Sequence, residues 1–106
     1  MKKTITVKAN GRDINLKFGM NTLIDMEEIT GKSIDAITTQ FTLSDIRGII
    51  LACLRQDKPE TTPREAGEVL DDLLDEVGME EVAKLVTKGF EVSMGKMPTT
   101  KAKPRK

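Results

Sequence analysis

Few residues in this chain could carry out chemistry, and the first to consider is its single cysteine, Cys53. The sequence contains no histidine, so the base that most often activates a thiol is missing. Cys53 also lies in the most apolar run of the chain, residues 49–54. We interpret it as a small buried hydrophobic side chain rather than a nucleophile. A single cysteine excludes a disulfide within the chain and is typical of a reducing compartment.

The densest acidic cluster is Asp71, Asp72, Asp75 and Glu76. A divalent cation would need oxygen ligands that converge from a loop. These carboxylates instead lie on a predicted helix whose other face is apolar, and we interpret them as a solvated helix face. We therefore expect no metal ion and no cofactor.

Gly31, Lys32 and Ser33 resemble the end of a phosphate-binding loop. The upstream glycine and the preceding strand of such a loop are missing, and a predicted helix runs directly into Gly31. Gly31 is better explained as the residue that ends this helix. Since no catalytic constellation remains, we expect that the protein is not an enzyme.

The stretch from Leu43 to Leu54 is the segment around which the other elements are organised. On a helical wheel its apolar residues cover an arc of roughly 200°, about twice the width that a surface helix needs. We predict a central helix over 43–56 that has neighbours on more than one side. Part of the arc, at Ile49 and Cys53, is predicted to remain available to another chain.

Arg47 is the exception within this arc, because it projects at roughly 40° on the wheel, between apolar neighbours. A charged side chain buried at such a place has to be paired. One interpretation is an ion pair with Asp25, Glu27 or Glu28 on the preceding helix, and this is the one we favour. The other is that this side of the helix is an interface with another chain.

Methionine is a second indication of an interaction protein, because the chain has six methionines and only three aromatic residues. Flexible thioethers suit surfaces that accept varied apolar partners, although filling gaps in a core is their commoner role. Several methionines lie near predicted helix ends. The candidate partner interface therefore comprises Ile49, Cys53, Arg47, Met26, Met79 and Met94.

A β-hairpin over 3–18 is predicted from the Asn10-Gly11 pair, which lies between two runs of alternating polarity. Asn-Gly favours a type I′ turn, which would place Val7 opposite Ile14 and Ile5 opposite Leu16. A two-stranded hairpin is not stable by itself in water. We therefore expect its apolar face to pack on helices.

The remaining helices are predicted from their boundary signals. Asn21 is the predicted N-cap of a helix over 22–30, Ser33 of a short helical piece, and Thr42 of the central helix. A capping box at Thr62 opens a helix over 63–77, and a glycine at 78 separates it from a last helix over 80–93. The predicted fold class is α+β: a two-stranded hairpin packed on a bundle of four main helices, forming one domain over 1–95.

Charge is distributed unevenly, although the formal net charge is zero. Residues 96–106 contain five basic residues and no acidic one, which leaves a net charge of −5 on residues 1–95. We predict that 96–106 is a disordered basic tail. It has no aromatic residue to stack on bases, so nucleic acid is not an expected partner. No apolar run is long enough to span a bilayer and no leader pattern opens the chain, so we expect a soluble, intracellular protein.

The run LKFGMNTLIDMEEITGKSI, residues 16–34, resembles the tail assembly chaperones of long-tailed bacteriophages and gene-transfer agents. In that family a strand ending in an aromatic residue leads into an Asn-capped helix. A Leu-x-x-x-Glu-Glu-x-x-Gly-Lys pattern follows, which is matched here by Leu23, Glu27, Glu28, Gly31 and Lys32.

Two further blocks follow in the same order as in the family. Residues 45–54 resemble a helix that in relatives often reads Asp-Leu-Arg-Ala-Leu-Leu-Trp-Ala-Gly-Leu, so Arg47 falls on a family position, but the tryptophan is missing here. The third block is residues 62–67 and the amphipathic helix after them. Together the three blocks cover about residues 12–77.

The resemblance implies a non-enzymatic function. Such chaperones bind the long, helical, aggregation-prone tape measure protein and keep it soluble until the tail tube polymerises around it. It implies a location in the cytoplasm of the bacterial host and absence from the mature virion, with the tail tube protein as a further candidate partner and self-association as an option. Two alternatives stay open: a structural tail or head–tail joining protein of the virion, and a small nucleic-acid-binding regulator that uses the basic tail.

Overall fold

The hairpin forms in the predicted register. A computed structural model describes residues 4–94, with side chains up to residue 91. Strands β1 (Thr4–Ala9) and β2 (Arg12–Lys17) pair antiparallel, with Val7 opposite Ile14 and Ile5 opposite Leu16. The two turn residues, Asn10 and Gly11, have φ values of 51° and 76°, which is the geometry of a type I′ turn.

Helices make up most of the remaining described chain. They are α1 (Met20–Thr30), α2 (Ile34–Thr39), α3 (Leu43–Arg55) and α4 (Pro63–Met94). α4 is broken at Gly78, whose φ of 86° and ψ of 164° are not helical. Its N-terminal half (63–77) and C-terminal half (79–94) correspond to the two helices that were predicted separately. The predicted α+β fold class is confirmed.

Two capping boxes determine where α3 and α4 begin. Thr42 Oγ1 accepts a hydrogen bond from the Asp45 N–H at 3.1 Å, and the Asp45 carboxylate accepts one from the Thr42 N–H at 3.0 Å. Thr62 and Glu65 make the same reciprocal pair at 3.2 and 2.9 Å. Each box satisfies backbone N–H groups that the first turn of a helix leaves without a partner.

The boundaries of α1 differ slightly from the prediction. Its N-cap residue is Gly19 rather than Asn21, and no side chain caps it. Thr22 instead donates its hydroxyl to the Lys17 carbonyl oxygen at 2.8 Å, which joins the first turn of α1 to the end of β2. Gly31 ends the helix as predicted, with a φ of 73° and its N–H bonded to the Glu27 carbonyl oxygen.

α3 lies at the centre of the fold and contacts α1, α4 and β2. α1 crosses it closely at Gly48, where an added Cβ would lie 3.0 Å from Thr30 Cγ2 and 3.2 Å from Ile29 Cγ2. Three neighbours therefore cover an apolar arc that is too wide for one. The core draws on every element; among its fully buried side chains are Leu16, Phe18, Met26, Ile37, Ile49, Ile50, Leu73 and Val82.

The predicted disordered basic tail, 96–106, lies outside the described residues. So does the first residue of the predicted hairpin, Lys3.

Candidate interaction surfaces

Met20 and Ile24 form an exposed apolar pair, here called the α1 pair. Both side chains are 47% exposed. They lie one turn apart on the outer side of α1, whose opposite side buries Thr22, Leu23 and Met26. In the sequence, Ile24 widens the apolar stripe marked by Leu23, Met26 and Ile29 and is expected to be buried with them, but its side chain lies on the exposed side instead. A wheel centred on the buried residues would have shown Ile24 on the opposite side of the helix.

Val77 and Met79 form a second exposed apolar pair, here called the α4 pair, on either side of Gly78. Their side chains are 37% and 43% exposed. The extended backbone at Gly78 interrupts the helical periodicity, so the apolar stripe of the N-terminal half does not continue into the C-terminal half. The flanking positions carry exposed carboxylates, at Asp75, Glu76, Glu80 and Glu81.

Three of the predicted interface residues are buried in this chain. Ile49 and Met26 have no exposed surface, and Cys53 is 1% exposed. The prediction that the Ile49 and Cys53 edge of α3 is left for another chain is therefore not met, because α1, α4 and β2 together cover that edge. Met79 is exposed as predicted, and the side chain of Met94 lies outside the described part of the chain.

Arg47 is exposed and does not form the predicted ion pair. Of the three predicted partners, Asp25 accepts a hydrogen bond from Gln56 Nε2 at 2.9 Å, and Glu27 accepts one from the Ile34 N–H at 3.0 Å. No carboxylate of residues 4–91 lies within ion-pair distance of Arg47. Its alkyl stem runs over α4, where a Cβ added at Gly67 would lie 3.5 Å from Arg47 Cδ. The stem thus covers apolar surface while the guanidinium stays in water.

The exposed edge of α3 is consequently not the predicted one. Leu43, at its first turn, is 58% exposed, and Leu54 at its last turn is half-buried. Together with Arg47 these residues lie within about 40° of one another on the wheel. The open seam of the central helix is narrow, and Arg47 lies between Leu43 and Leu54 along the helix axis.

The acidic cluster on α4 is only partly a solvated face. Asp72 accepts hydrogen bonds from Asn10 Nδ2 at 2.6 Å and from Arg12 at 2.7 Å, and Glu76 accepts one from the Asn10 N–H at 3.3 Å. These contacts fasten the hairpin turn to the N-terminal half of α4. Asp71 and Asp75 are exposed, as predicted. No group of acidic, histidine or cysteine side chains among the described residues is arranged to hold a metal ion.

Lys32 forms an ion pair with a carboxylate of its own chain. Its Nζ lies 2.7 Å from the carboxylate of Asp45, which is 5% exposed. The Lys32 ammonium, with the Thr42 N–H as the second contribution, holds the pKa of the Asp45 carboxyl below its ordinary value of 3.8. The pair joins the end of α1 to the start of α3.

Cys53 is not a reactive thiol. Burial raises the pKa of its thiol well above the ordinary value, and a protonated, enclosed thiol is a poor nucleophile. This agrees with the interpretation of Cys53 as a core residue.

An open groove of about 470 Å³ lies between β2, the connection 56–62 and the start of α4. We call it the acidic groove, because five acidic and only two basic residues line it. Its floor is apolar and consists of Ile14, Leu54 and Val69. The sequence did not indicate this groove, because its walls come from three separate parts of the chain.

No described helix combines the length and the apolar content needed to cross a membrane. Comparison of the chain with protein-family models, with curated proteins and with solved structures gave no match.

Proposed function

We propose that this protein is a non-enzymatic tail assembly chaperone that binds a tape measure protein in the bacterial cytoplasm. It would keep this long helical client soluble until the tail tube forms around it. The sequence resemblance supplies the identity of the client. The observation that carries the proposal is the presence of two exposed apolar pairs, the α1 pair and the α4 pair, on a small acidic body.

The α1 pair suits a helical client. Residues one turn apart present neighbouring side chains on one face of a helix, as Met20 and Ile24 do. An amphipathic client helix presents apolar side chains at the same spacing, so that the two surfaces can pack as a stripe against a stripe. Helical clients of this kind aggregate because such stripes are otherwise exposed to water.

The amount of exposed apolar surface favours weak, reversible binding. Complete burial of a Met, Ile or Val side chain contributes roughly 1.5–3 kcal/mol, and the four side chains of the two pairs are already about half-buried. Burying the rest would contribute about 3–6 kcal/mol before the costs of association are subtracted. One chain alone would bind weakly, and a long client with repeated stripes would bind several copies that are released as the tube grows.

The carboxylates around the α4 pair add selectivity. Asp75, Glu76, Glu80 and Glu81 surround Val77 and Met79 with negative charge. Like charges oppose the association of two chaperone molecules through this surface, whereas a client stripe flanked by basic residues is attracted to it.

Co-expression tests the proposal. The client is the long helical protein expected to be encoded directly downstream, and its soluble yield is measured with and without this chain. We expect the yield to rise and the two proteins to co-purify. An unchanged yield together with no co-purification contradicts the proposal. Mass spectrometry of purified particles separates a chaperone, which should be missing, from a structural tail protein, which should be present.

A further inference from the structure

The acidic groove has the composition of a binding site for a basic peptide segment. Its apolar floor is formed by Ile14, Leu54 and Val69, and the acidic residues of its walls lie around this floor. Apolar floors bind the aliphatic parts of a peptide, and a charged rim selects the sign of its side chains. The groove therefore fits a segment in which basic and small apolar residues alternate.

The carboxylates of the groove are not neutralised within the described chain. Asp13, Asp57, Glu60 and Glu68 make no side-chain hydrogen bond or ion pair with any residue from 4 to 91. Of the two basic residues in the lining, Arg12 is engaged by Asp72 at 2.7 Å. The groove consequently carries an excess of negative charge that a basic ligand would compensate.

The wall formed by the connection 56–62 is held in place before any ligand arrives. Arg55 Nε donates to the Thr61 carbonyl oxygen at 2.9 Å. Thr61 in turn donates its N–H and its hydroxyl to the Lys58 carbonyl oxygen at 3.0 and 2.7 Å. A preformed wall lowers the ordering cost of binding.

We propose that the acidic groove binds the basic segment 96–106 of the same chain. This segment contains five basic residues and no acidic one, and its last six residues read Lys-Ala-Lys-Pro-Arg-Lys. Basic residues thus alternate with a small or an apolar residue, as the groove requires. The prolines disfavour a helix and suit an extended segment.

The segment is long enough to reach the groove. The hairpin lies along α4, with Asn10 on Asp72 at one end and Phe18 on Gly89 at the other. The path from Met94 to Asn15 runs back along α4 to Gly89, across to Phe18 and then along β2. Its length is roughly 25 Å, from the rise per residue of a helix and of a strand. The twelve residues 95–106 span up to about 40 Å when extended.

Paramagnetic broadening in nuclear magnetic resonance spectra tests this proposal on the full chain. A nitroxide is attached at position 100 of the Thr100→Cys variant, and Cys53 stays unlabelled because its thiol is buried. We expect the backbone amide signals of Asp13, Asp57 and Glu68 to broaden much more than those of α1. Because the contact is electrostatic and exposed, the broadening should fall as salt is added.

A matched pair of double variants shows which charges matter. Glu60→Gln with Glu68→Gln removes two charges from the groove and should abolish the excess broadening. Asp75→Asn with Glu80→Gln removes two charges from an exposed part of α4 outside the groove. This double variant should keep the excess broadening of the groove signals. Equal broadening of groove and α1 amides in the parent chain, or equal loss in both double variants, would overturn the proposal.

A mixed sample identifies the source of the segment. The isotope-labelled chain without nitroxide is combined with unlabelled chain that carries the nitroxide. Broadening of the groove signals in this sample would show binding of the tail from a second copy and would overturn the intramolecular proposal. Its absence, with strong broadening in the singly labelled chain, is the expected result.

Discussion

The ring of Phe18 lies directly on the backbone of Gly89, so closely that a Cβ built on Gly89 would overlap the ring. Phe18 ends the second strand and is 1% exposed, whereas Gly89 belongs to the C-terminal half of α4. This contact places that half of α4 on the open end of the hairpin. The hydrogen bonds from Asn10 to Asp72 and Glu76 hold the N-terminal half on the turn end, one to each carboxylate.

Replacing Gly89 with alanine should destabilise the fold. The enclosed Phe18 ring cannot move aside freely, and overpacking of this kind costs about 1–3 kcal/mol. Gly67→Ala is the matched control, since its Cβ would meet only the flexible Arg47 stem at 3.5 Å and alanine is the better helix former by about 0.5–1 kcal/mol. Urea unfolding should show a lower free energy of unfolding for Gly89→Ala and no decrease for Gly67→Ala. Equal effects would mean that Phe18 does not pack on Gly89.

Asp72 and Asp71 are adjacent, but only Asp72 holds the hairpin turn. Asp72→Asn should lower the free energy of unfolding by about 1 kcal/mol, because the charge-assisted hydrogen bond to the partly exposed Arg12 is weakened. Asp71→Asn should change it by less than about 0.5 kcal/mol, as is usual for an exposed surface residue. Chemical denaturation measures both. If the two variants are indistinguishable, Asp72 does not anchor the hairpin.

Asp45 should make stability depend on pH in the acidic range. Its folded pKa is lowered relative to the ordinary 3.8, so its contribution is present above about pH 4 and is lost as the pH falls through the folded pKa. Asp45→Asn should cost about 1–3 kcal/mol at neutral pH, since it weakens the charge-assisted hydrogen bonds that the buried carboxylate accepts from Lys32 and from the Thr42 N–H. The difference in the free energy of unfolding between the variant and the parent chain should become smaller below about pH 4. Exposed Asp35→Asn is the control, and a difference that stays constant down to pH 2 would exclude the Lys32–Asp45 pair.

The thiol of Cys53 should report on global unfolding. Burial keeps it protonated and enclosed, so a thiol reagent should react with it only when the chain opens. We expect no reaction with the native protein at mildly alkaline pH and complete reaction in denaturant. Fast, complete labelling of the native chain would show that this side of α3 is accessible, as the sequence alone had suggested.

Local signals predicted much of this fold. The Asn10-Gly11 turn determines the hairpin register, and the Thr42 and Thr62 capping boxes determine two helix starts, because each acts between residues close in sequence. Gly78 separates two helical segments for the same reason, since its φ of 86° is unfavourable for other residues.

The interaction surfaces were harder to predict, because they depend on which neighbours cover each helix. The width of the apolar arc on α3 indicated several neighbours, but three elements of the same chain supply them, which buries Ile49 and Cys53. Arg47 is free to reach water because α4 presents a glycine beside it. The position of Ile24 could have been found from the sequence, whereas the partners of Asp72 could not, since 62 residues separate it from Asn10.

The most direct test of the proposed function is the retention of the tape measure client by full-length variants of this chain. Met20→Ser with Ile24→Ser removes the α1 pair, and Val77→Ser with Met79→Ser removes the α4 pair. Asn21→Ala changes an exposed neighbour of the α1 pair, and Lys88→Gln changes an exposed residue of α4 away from the α4 pair; both serve as controls. Protection of the Cys53 thiol verifies that each variant is folded.

We expect the amount of client retained by the immobilised chain to fall at least tenfold when both pairs are removed, which corresponds to a loss of about 1.4 kcal/mol or more in binding free energy. The controls should retain it as the parent chain does. Unchanged retention by the folded variant that lacks both pairs would contradict the claim that these exposed side chains bind the client.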